Sequence, residues 1–308
     1  MTNNSKGILC LVCAVALFTI SDSIVKLLSP TYALHEIMLF RALFAMMVVI
    51  VIVQLEGGFV TLKTRRPILH FIRGCMLVLA NMFFFLGLAS LPIAEAVALF
   101  YSAPLFICLL SQLVLAQKVS LYRWVAIFVG LIGVVVMLRP GSEIFRMTAL
   151  LPIIAAFAYA CMVMITSKLG MQDKAGTMTF YIQFAFIVVS SIVGLSVGDG
   201  QFYTPDNPTL GFLLRSWSIP VIGDLGLIAA GGFFVAAGGY LISQAYRTGQ
   251  ASLLAPFEYS SMPLALLLGY LVWGDWPDHY SMLGSVLIIS SGILIVVFEK
   301  KVRIKPAM

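Results

Sequence analysis

Ten strongly apolar segments, each long enough to cross a bilayer, fill almost the whole of this 308-residue chain and fix its solvent before any chemistry is considered. A hydrocarbon core of roughly 30 Å takes about 20 helical residues. That length predicts spans over 7–28, 34–55, 68–88, 93–115, 121–138, 148–168, 177–197, 220–243, 251–272 and 281–298. With 61% hydrophobic and 10% charged residues and a mean hydropathy of +1.04, the chain has too little polar surface to enclose itself in water. The expected fold is an all-α membrane protein with ten transmembrane helices, and an enzyme of soluble type is excluded. The gaps are short and carry turn residues: Ser29-Pro30, Glu56-Gly57-Gly58, Arg139-Pro140-Gly141 and Asp275-Trp276-Pro277-Asp278. One longer connection, 198–219, reads either as a surface lid or as an interfacial loop covering helix ends.

Lys6 ahead of an apolar run imitates a signal peptide, but the run continues to Leu28 without a cleavage-like polar region, so it reads as a retained first helix. Cys10, Cys13, Cys75, Cys108 and Cys161 all fall inside proposed spans, where thiols behave as small apolar groups. The Cys10-x-x-Cys13 spacing has no accompanying ligands, and neither a metal nor a cofactor is expected.

The 19 basic residues orient the spans, because Lys and Arg collect in short cytoplasmic loops. With the N-terminus inside, thirteen fall on inner segments: Lys6, Lys63, Arg65, Arg66, Lys118, Arg123, Lys168, Lys174, Arg247, Lys300, Lys301, Arg303 and Lys305. Outer loops hold only Arg139, Arg146 and Arg215, and Lys26, Arg41 and Arg73 lie within or at the edges of spans. Both termini are therefore expected in the cytoplasm. Inner-leaflet electrostatics accounts for the pI near 9.1, and no nucleic-acid partner is expected.

Charges at membrane depth are costly and signal pairing or function. Asp22 and Lys26 are four apart on one helix, and His35, Glu36 and Arg41 open the next span at the same outer side. Asp22, Lys26, Glu36 and Arg41 are expected to form an ion-pair network that pins helices or gates the outer mouth. Glu258, in the run Glu258-Tyr259-Ser260-Ser261, either binds a cation or proton or simply accepts hydrogen bonds from a neighbouring helix. Glu95 and Asp224 sit closer to span ends, where solvation suffices.

Aligned without gaps at an offset of 159, spans four and five meet spans nine and ten: Ala96 on Ala255, Ser102 on Ser261, Pro104 on Pro263, Leu109 on Leu268 and Gly133 on Gly292. A proline inside a helix breaks the same turn in both halves. The expected halves are 1–147 and 148–308. Five spans per half is an odd number, so a duplicated half re-enters the membrane inverted, the architecture that gives many transporters two conformations around a midplane site.

The chain resembles the drug/metabolite transporter superfamily, specifically its ten-helix EamA-type members, over essentially its whole length. The resemblance is carried by Phe40-Arg41, Leu91-Pro92-Ile93-Ala94, Ser102-Ala103-Pro104-Leu105, Gly130-Leu131-Ile132-Gly133-Val134 followed by Arg139-Pro140-Gly141, and Gly274-Asp275. The family often has Gly-Glu after the fourth span, where this chain has Ala116-Gln117-Lys118. The resemblance implies a proton-coupled or facilitative carrier of small organic metabolites in a bacterial inner membrane. Amino acids, nucleobases, vitamins such as riboflavin and S-adenosylmethionine are the implied substrate range.

Polar and aromatic residues of spans three, four, eight and nine supply the candidate substrate contacts: Asn81, Phe84, Tyr101, Ser102, Tyr240, Gln244, Glu258, Tyr259 and Ser261. Aromatic faces would hold a planar or cationic solute while amides and hydroxyls orient it; ordinary interhelical hydrogen bonding is the competing account. The glycine pairs Gly231-Gly232 and Gly238-Gly239 read as a flexible gate or as tight packing, and Gly194-x-x-x-Gly198 as a dimer face or as packing within the chain. The molecule is thus expected as a monomer or homodimer in the lipid bilayer. No G-x-x-x-x-G-K-[ST] loop is present for a nucleotide-driven pump. A channel-like pore lacks a filter or charge ring, and an intramembrane enzyme lacks a catalytic constellation, His35, His70 and His279 being far apart.

Overall fold

With no water in the hydrocarbon, a spanning segment must satisfy its backbone internally, which leaves the helix for every apolar run here. The computed structural model describes residues 3–90, 99–117, 119–138, 150–169, 173–203, 208–274 and 279–304. Glu95, Leu91-Pro92-Ile93-Ala94, Arg139-Pro140-Gly141 and Asp275 lie outside the described residues. Those described are all helix, turn or irregular. The helices are α1 (Asn3–Leu28), α2 (Leu34–Glu56), α3 (Pro67–Ser90), α4 (Ala103–Leu115), α5 (Leu121–Leu138), α6 (Leu150–Leu169), α7 (Ala175–Val197), α8 (Pro208–Leu214), α9 (Ile222–Thr248), α10 (Ala251–Leu254), α11 (Ser261–Trp273) and α12 (His279–Ile304). Seven described stretches are long and apolar enough to cross a bilayer: Ser5–Leu28, Leu34–Glu56, Pro67–Gly87, Leu150–Leu169, Ala175–Val197, Ile222–Thr248 and Ala251–Val272. Ala103–Leu115, Leu121–Val136 and Met282–Ser291 are shorter apolar helices. The protein is a multi-pass membrane protein.

Two expected features differ in detail. The segment 251–272 is not one continuous helix: α10 passes into a 3₁₀ segment, Ala255–Ser260, before α11 resumes. Pro256 and Pro263 each lack a backbone donor, so the regular ladder is interrupted on both sides of Glu258. The connection 198–219 contains the short helix α8. The turn after α2 follows its sequence, since Gly57 and Gly58 take φ values of 130° and 80° that favour glycine.

The broadest helix contact joins α1 to α9, followed by α5 with α12, α3 with α6 and α2 with α7. Glycines let α9 approach α1 and α2. A Cβ at Gly232 would lie 2.8 Å from the Arg41 carbonyl oxygen and 2.7 Å from Phe44 Cβ, and Gly238 faces the Phe18 ring. These pairs serve tight packing. Gly232→Val is therefore expected to destabilise the protein by about 1–3 kcal/mol through overpacking. Gly226→Ala, where a Cβ meets nothing within 4 Å, should be near neutral, and thermal unfolding of both variants checks the contrast.

One end of the bundle gathers most of the described basic side chains. There Gly176 N–H donates to Glu56 Oε2 at 3.0 Å, Lys174 Nζ donates to the Glu56 carbonyl, and Arg123 donates to Ser252 Oγ at 2.7 Å and Gln250 Oε1 at 3.0 Å. At the opposite end the 198–219 connection covers helix ends: Arg215 donates to the carbonyls of Ser29 (3.0 Å) and Pro30 (2.8 Å), and His35 donates to that of Leu213 (2.9 Å). Trp217 lies against Gly194 and Gly198, so the chain itself occupies that G-x-x-x-G face. Tyr32, in the α1–α2 turn, donates to Asp224 Oδ2 at 2.7 Å; that bond holds its phenol above the ordinary range.

Candidate functional site

The broken helix exposes the site's key group. In a 3₁₀ segment the side chains rise on a tighter helix than in α11, and Glu258 is buried at 9% exposure. Tyr246 of α9 donates to Glu258 Oε1 at 2.5 Å, and Tyr159 of α6 donates to Oε1 and Oε2 at 3.0 and 3.1 Å. Among the described residues no cation lies within 4 Å of this carboxylate. Two phenols thus replace the water that a carboxylate requires. The same carboxyl can accept both bonds when ionised, or turn one oxygen into a donor when protonated.

Around it the first and second halves of the sequence meet. Ser261 Oγ donates to the Glu258 carbonyl at 3.0 Å, which leaves Tyr101 as the donor in the hydrogen bond between the Tyr101 and Ser261 hydroxyls. Aromatic rings extend outward: Tyr101 against Tyr259 (5.8 Å between centroids), Tyr159 against Phe100 (5.9 Å) and Phe100 against Phe84 (5.0 Å). Gly130 of α5 admits the Tyr259 ring, since a Cβ there would come within 2.5 Å of it. The hydroxyls of Tyr259 and Ser260 are buried without a hydrogen-bond partner among the described residues.

The Asp22 side chain on α1 is 64% exposed. Arg41, 9% exposed at its side chain, pairs with it at 3.8 Å and donates to Ser21 Oγ at 3.3 Å. At that exposure the pair contributes at most about 1 kcal/mol.

The structure therefore brings Tyr101, Glu258, Tyr259 and Ser261 together, with Phe84 joined through Phe100. Ser102 donates to the Leu99 carbonyl at 2.7 Å and Asn81 to that of Leu77 at 3.0 Å, both within their own chain segments. Tyr240 and Gln244 face elsewhere: Tyr240 lies toward Glu56, and Gln244 accepts from Arg247 at 3.1 Å. At about 100° per residue, Gln244 stands roughly 160° from Tyr246, the α9 residue that does reach Glu258. Of the expected network, Asp22 and Arg41 pair, Lys26 is exposed, and Glu36 accepts the Ser218 N–H at 3.4 Å.

Sequence reasoning did not single out Tyr159, Tyr246 or Phe100. A signal existed, because a deep carboxylate needs donors and Tyr159 lies in the middle of a span. It also passed over Arg73. This guanidinium, 0% exposed, donates to Thr166 Oγ1 (2.6 Å), the Met178 carbonyl (2.7 Å) and Ser243 Oγ (3.0 Å), tying α3 to α6, α7 and α9.

Residues 5–139 match the EamA-like transporter family. Over nearly the full length the chain is similar to transporters: 28% identical to an S-adenosylmethionine uptake transporter of Rickettsia conorii, covering 91% of this chain and 89% of the relative. The chain is thus similar to EamA-type transporters. A riboflavin transporter of Vibrio cholerae is 29% identical to it, covering 96% and 94% of the two chains. A pseudopaline exporter of Pseudomonas aeruginosa is 26% identical, covering 92% and 93%. The chain also shares its fold with a solved crystal structure at a TM-score of 0.78 and 17% identity, over 97% of this chain and 99% of that one.

Proposed function

We propose that this protein is a secondary carrier that moves a small organic metabolite across the bacterial inner membrane by alternating access, with Glu258 as its proton- or cation-binding group. The observation that carries the reading is the carboxylate held by Tyr159 and Tyr246 at a broken helix, with no cation beside it among the described residues, where Tyr101 of the first half bonds Ser261 of the second. Broken helices at membrane depth are tolerated where they line a cavity, and they serve as binding segments in carriers.

Ten spans arranged as two inverted five-helix halves, 1–147 and 148–308, are part of the proposal. The four broadest helix contacts support it. If span one corresponds to six and three to eight, the contact of one with eight has its symmetry mate in six with three. The contacts of two with seven and five with ten pair each span with its own mate. The start of α4 after Ser102 and of α11 at Ser261 adds to this, each with a proline in its first turns. Both termini then face the cytoplasm, with the basic end of the bundle inward.

Substrates of the relatives, S-adenosylmethionine and riboflavin, carry planar fused rings that suit the Phe84, Phe100, Tyr101 and Tyr159 surfaces. Purified protein in proteoliposomes should accumulate one of a labelled panel of these two solutes, amino acids and nucleobases, saturably and more strongly under an imposed pH gradient. A panel in which nothing moves removes the carrier reading. Single-channel currents would indicate a pore, and turnover to a new product an enzyme.

A further inference from the structure

A cavity of about 300 Å³ lies between α1 and α9 at the basic end, lined by Lys6, Leu9, Cys10, Gln244 and Thr248. We propose that it is a binding site for the phosphate of an anionic phospholipid. Its lining divides as such a headgroup requires. Lys6 supplies an exposed ammonium, while the Thr248 hydroxyl donates to the Gln244 carbonyl at 2.8 Å. Arg247 takes the Gln244 amide oxygen at 3.1 Å, which leaves the amide N–H groups as donors and adds a second cation at the rim. Glu56, the acid toward which Tyr240 lies, accepts the Gly176 N–H at 3.0 Å through its carboxylate.

The groove is separate from Asp22. At about 100° per residue, Lys6, Leu9 and Cys13 stand roughly 140–180° from Asp22 around α1. The helix turns Gly7, Phe18 and Ser21 to α9, which makes Asp22 and this groove opposite flanks of one contact. Leu9 is 56% exposed and Cys13, one turn further into the membrane, is exposed too, so an apolar track leads from the cation toward the hydrocarbon. A soluble anion has no use for that track, whereas an acyl chain does. Basic pockets between membrane helices at an interface select anionic headgroups on the same physical grounds.

The test is retention of phosphatidylglycerol against phosphatidylcholine by the purified full chain, measured by native mass spectrometry. Wild type should retain phosphatidylglycerol preferentially. Lys6→Gln should weaken that retention about fivefold, the worth of one basic residue near a headgroup. Lys63→Gln, an exposed cation at the same end, should not. Equal loss in Lys63→Gln, equal retention of phosphatidylcholine, or displacement by inorganic phosphate at lipid-like concentrations would each overturn the proposal. The site stands apart from the carrier reading, so transport by Lys6→Gln should persist.

Discussion

Glu258→Gln is expected to abolish pH-driven accumulation while leaving a folded protein. The amide has the shape of the carboxyl and can still accept from Tyr159 and Tyr246 through its oxygen, so the hydrogen bonds that join α6, α9 and the 3₁₀ segment largely persist. What it loses is the ability to exchange a charge for a proton. Uptake down a substrate gradient should continue or slow modestly, whereas the ratio of uptake with and without an imposed pH gradient should fall to about one. Proteoliposome transport at matched protein density checks this. If Glu258→Gln retained a full pH response, the carboxylate would be structural, and the coupling group would have to be sought elsewhere.

Arg73→Ala should produce the largest loss of stability. The guanidinium reaches acceptors on three other helices, all beyond residue 147, and one buried cation thereby holds α3 to α6, α7 and α9. Truncation removes three charge-assisted hydrogen bonds and opens a cavity, costing roughly 3–5 kcal/mol. Arg73→Met refills the volume, and the desolvation cost of the charge disappears with it, so its loss should be smaller, about 1–3 kcal/mol. Thermal unfolding in one detergent separates the two. An unchanged midpoint in Arg73→Ala would mean that the clasp is not formed.

The apolar, all-helical character of the described segments and the burial of Glu258 were legible because hydropathy reports the solvent directly. Charge placement was legible in part. Lys63, Lys174 and Arg123 do gather at one end, but pairing across helices depends on side-chain direction, which sequence spacing does not give. Asp22 meets Arg41 on the next helix, and Glu36 meets a backbone N–H in the 198–219 connection. For the site the limit was helical phase. Tyr240, Gln244 and Tyr246 share one helix and similar chemistry, yet only the last faces Glu258. The 3₁₀ break was prefigured by Pro256 and Pro263, although the run reads as a single apolar span. Arg73 looked like a span-edge cation because its acceptors are uncharged hydroxyls and a carbonyl, which leave no complementary charge in the sequence.

The central claim is that the seam around Glu258 opens alternately to each side. Ser261 sits on that seam, bonded to Tyr101 and to the Glu258 carbonyl. The most direct measurement replaces the five native cysteines, introduces Ser261→Cys and compares its labelling by impermeant thiol reagents from the two faces of oriented vesicles. Labelling from both faces, with protection on both by a transported substrate, is the predicted result. Labelling from a single face under every condition, or labelling that no transported substrate slows, would contradict it.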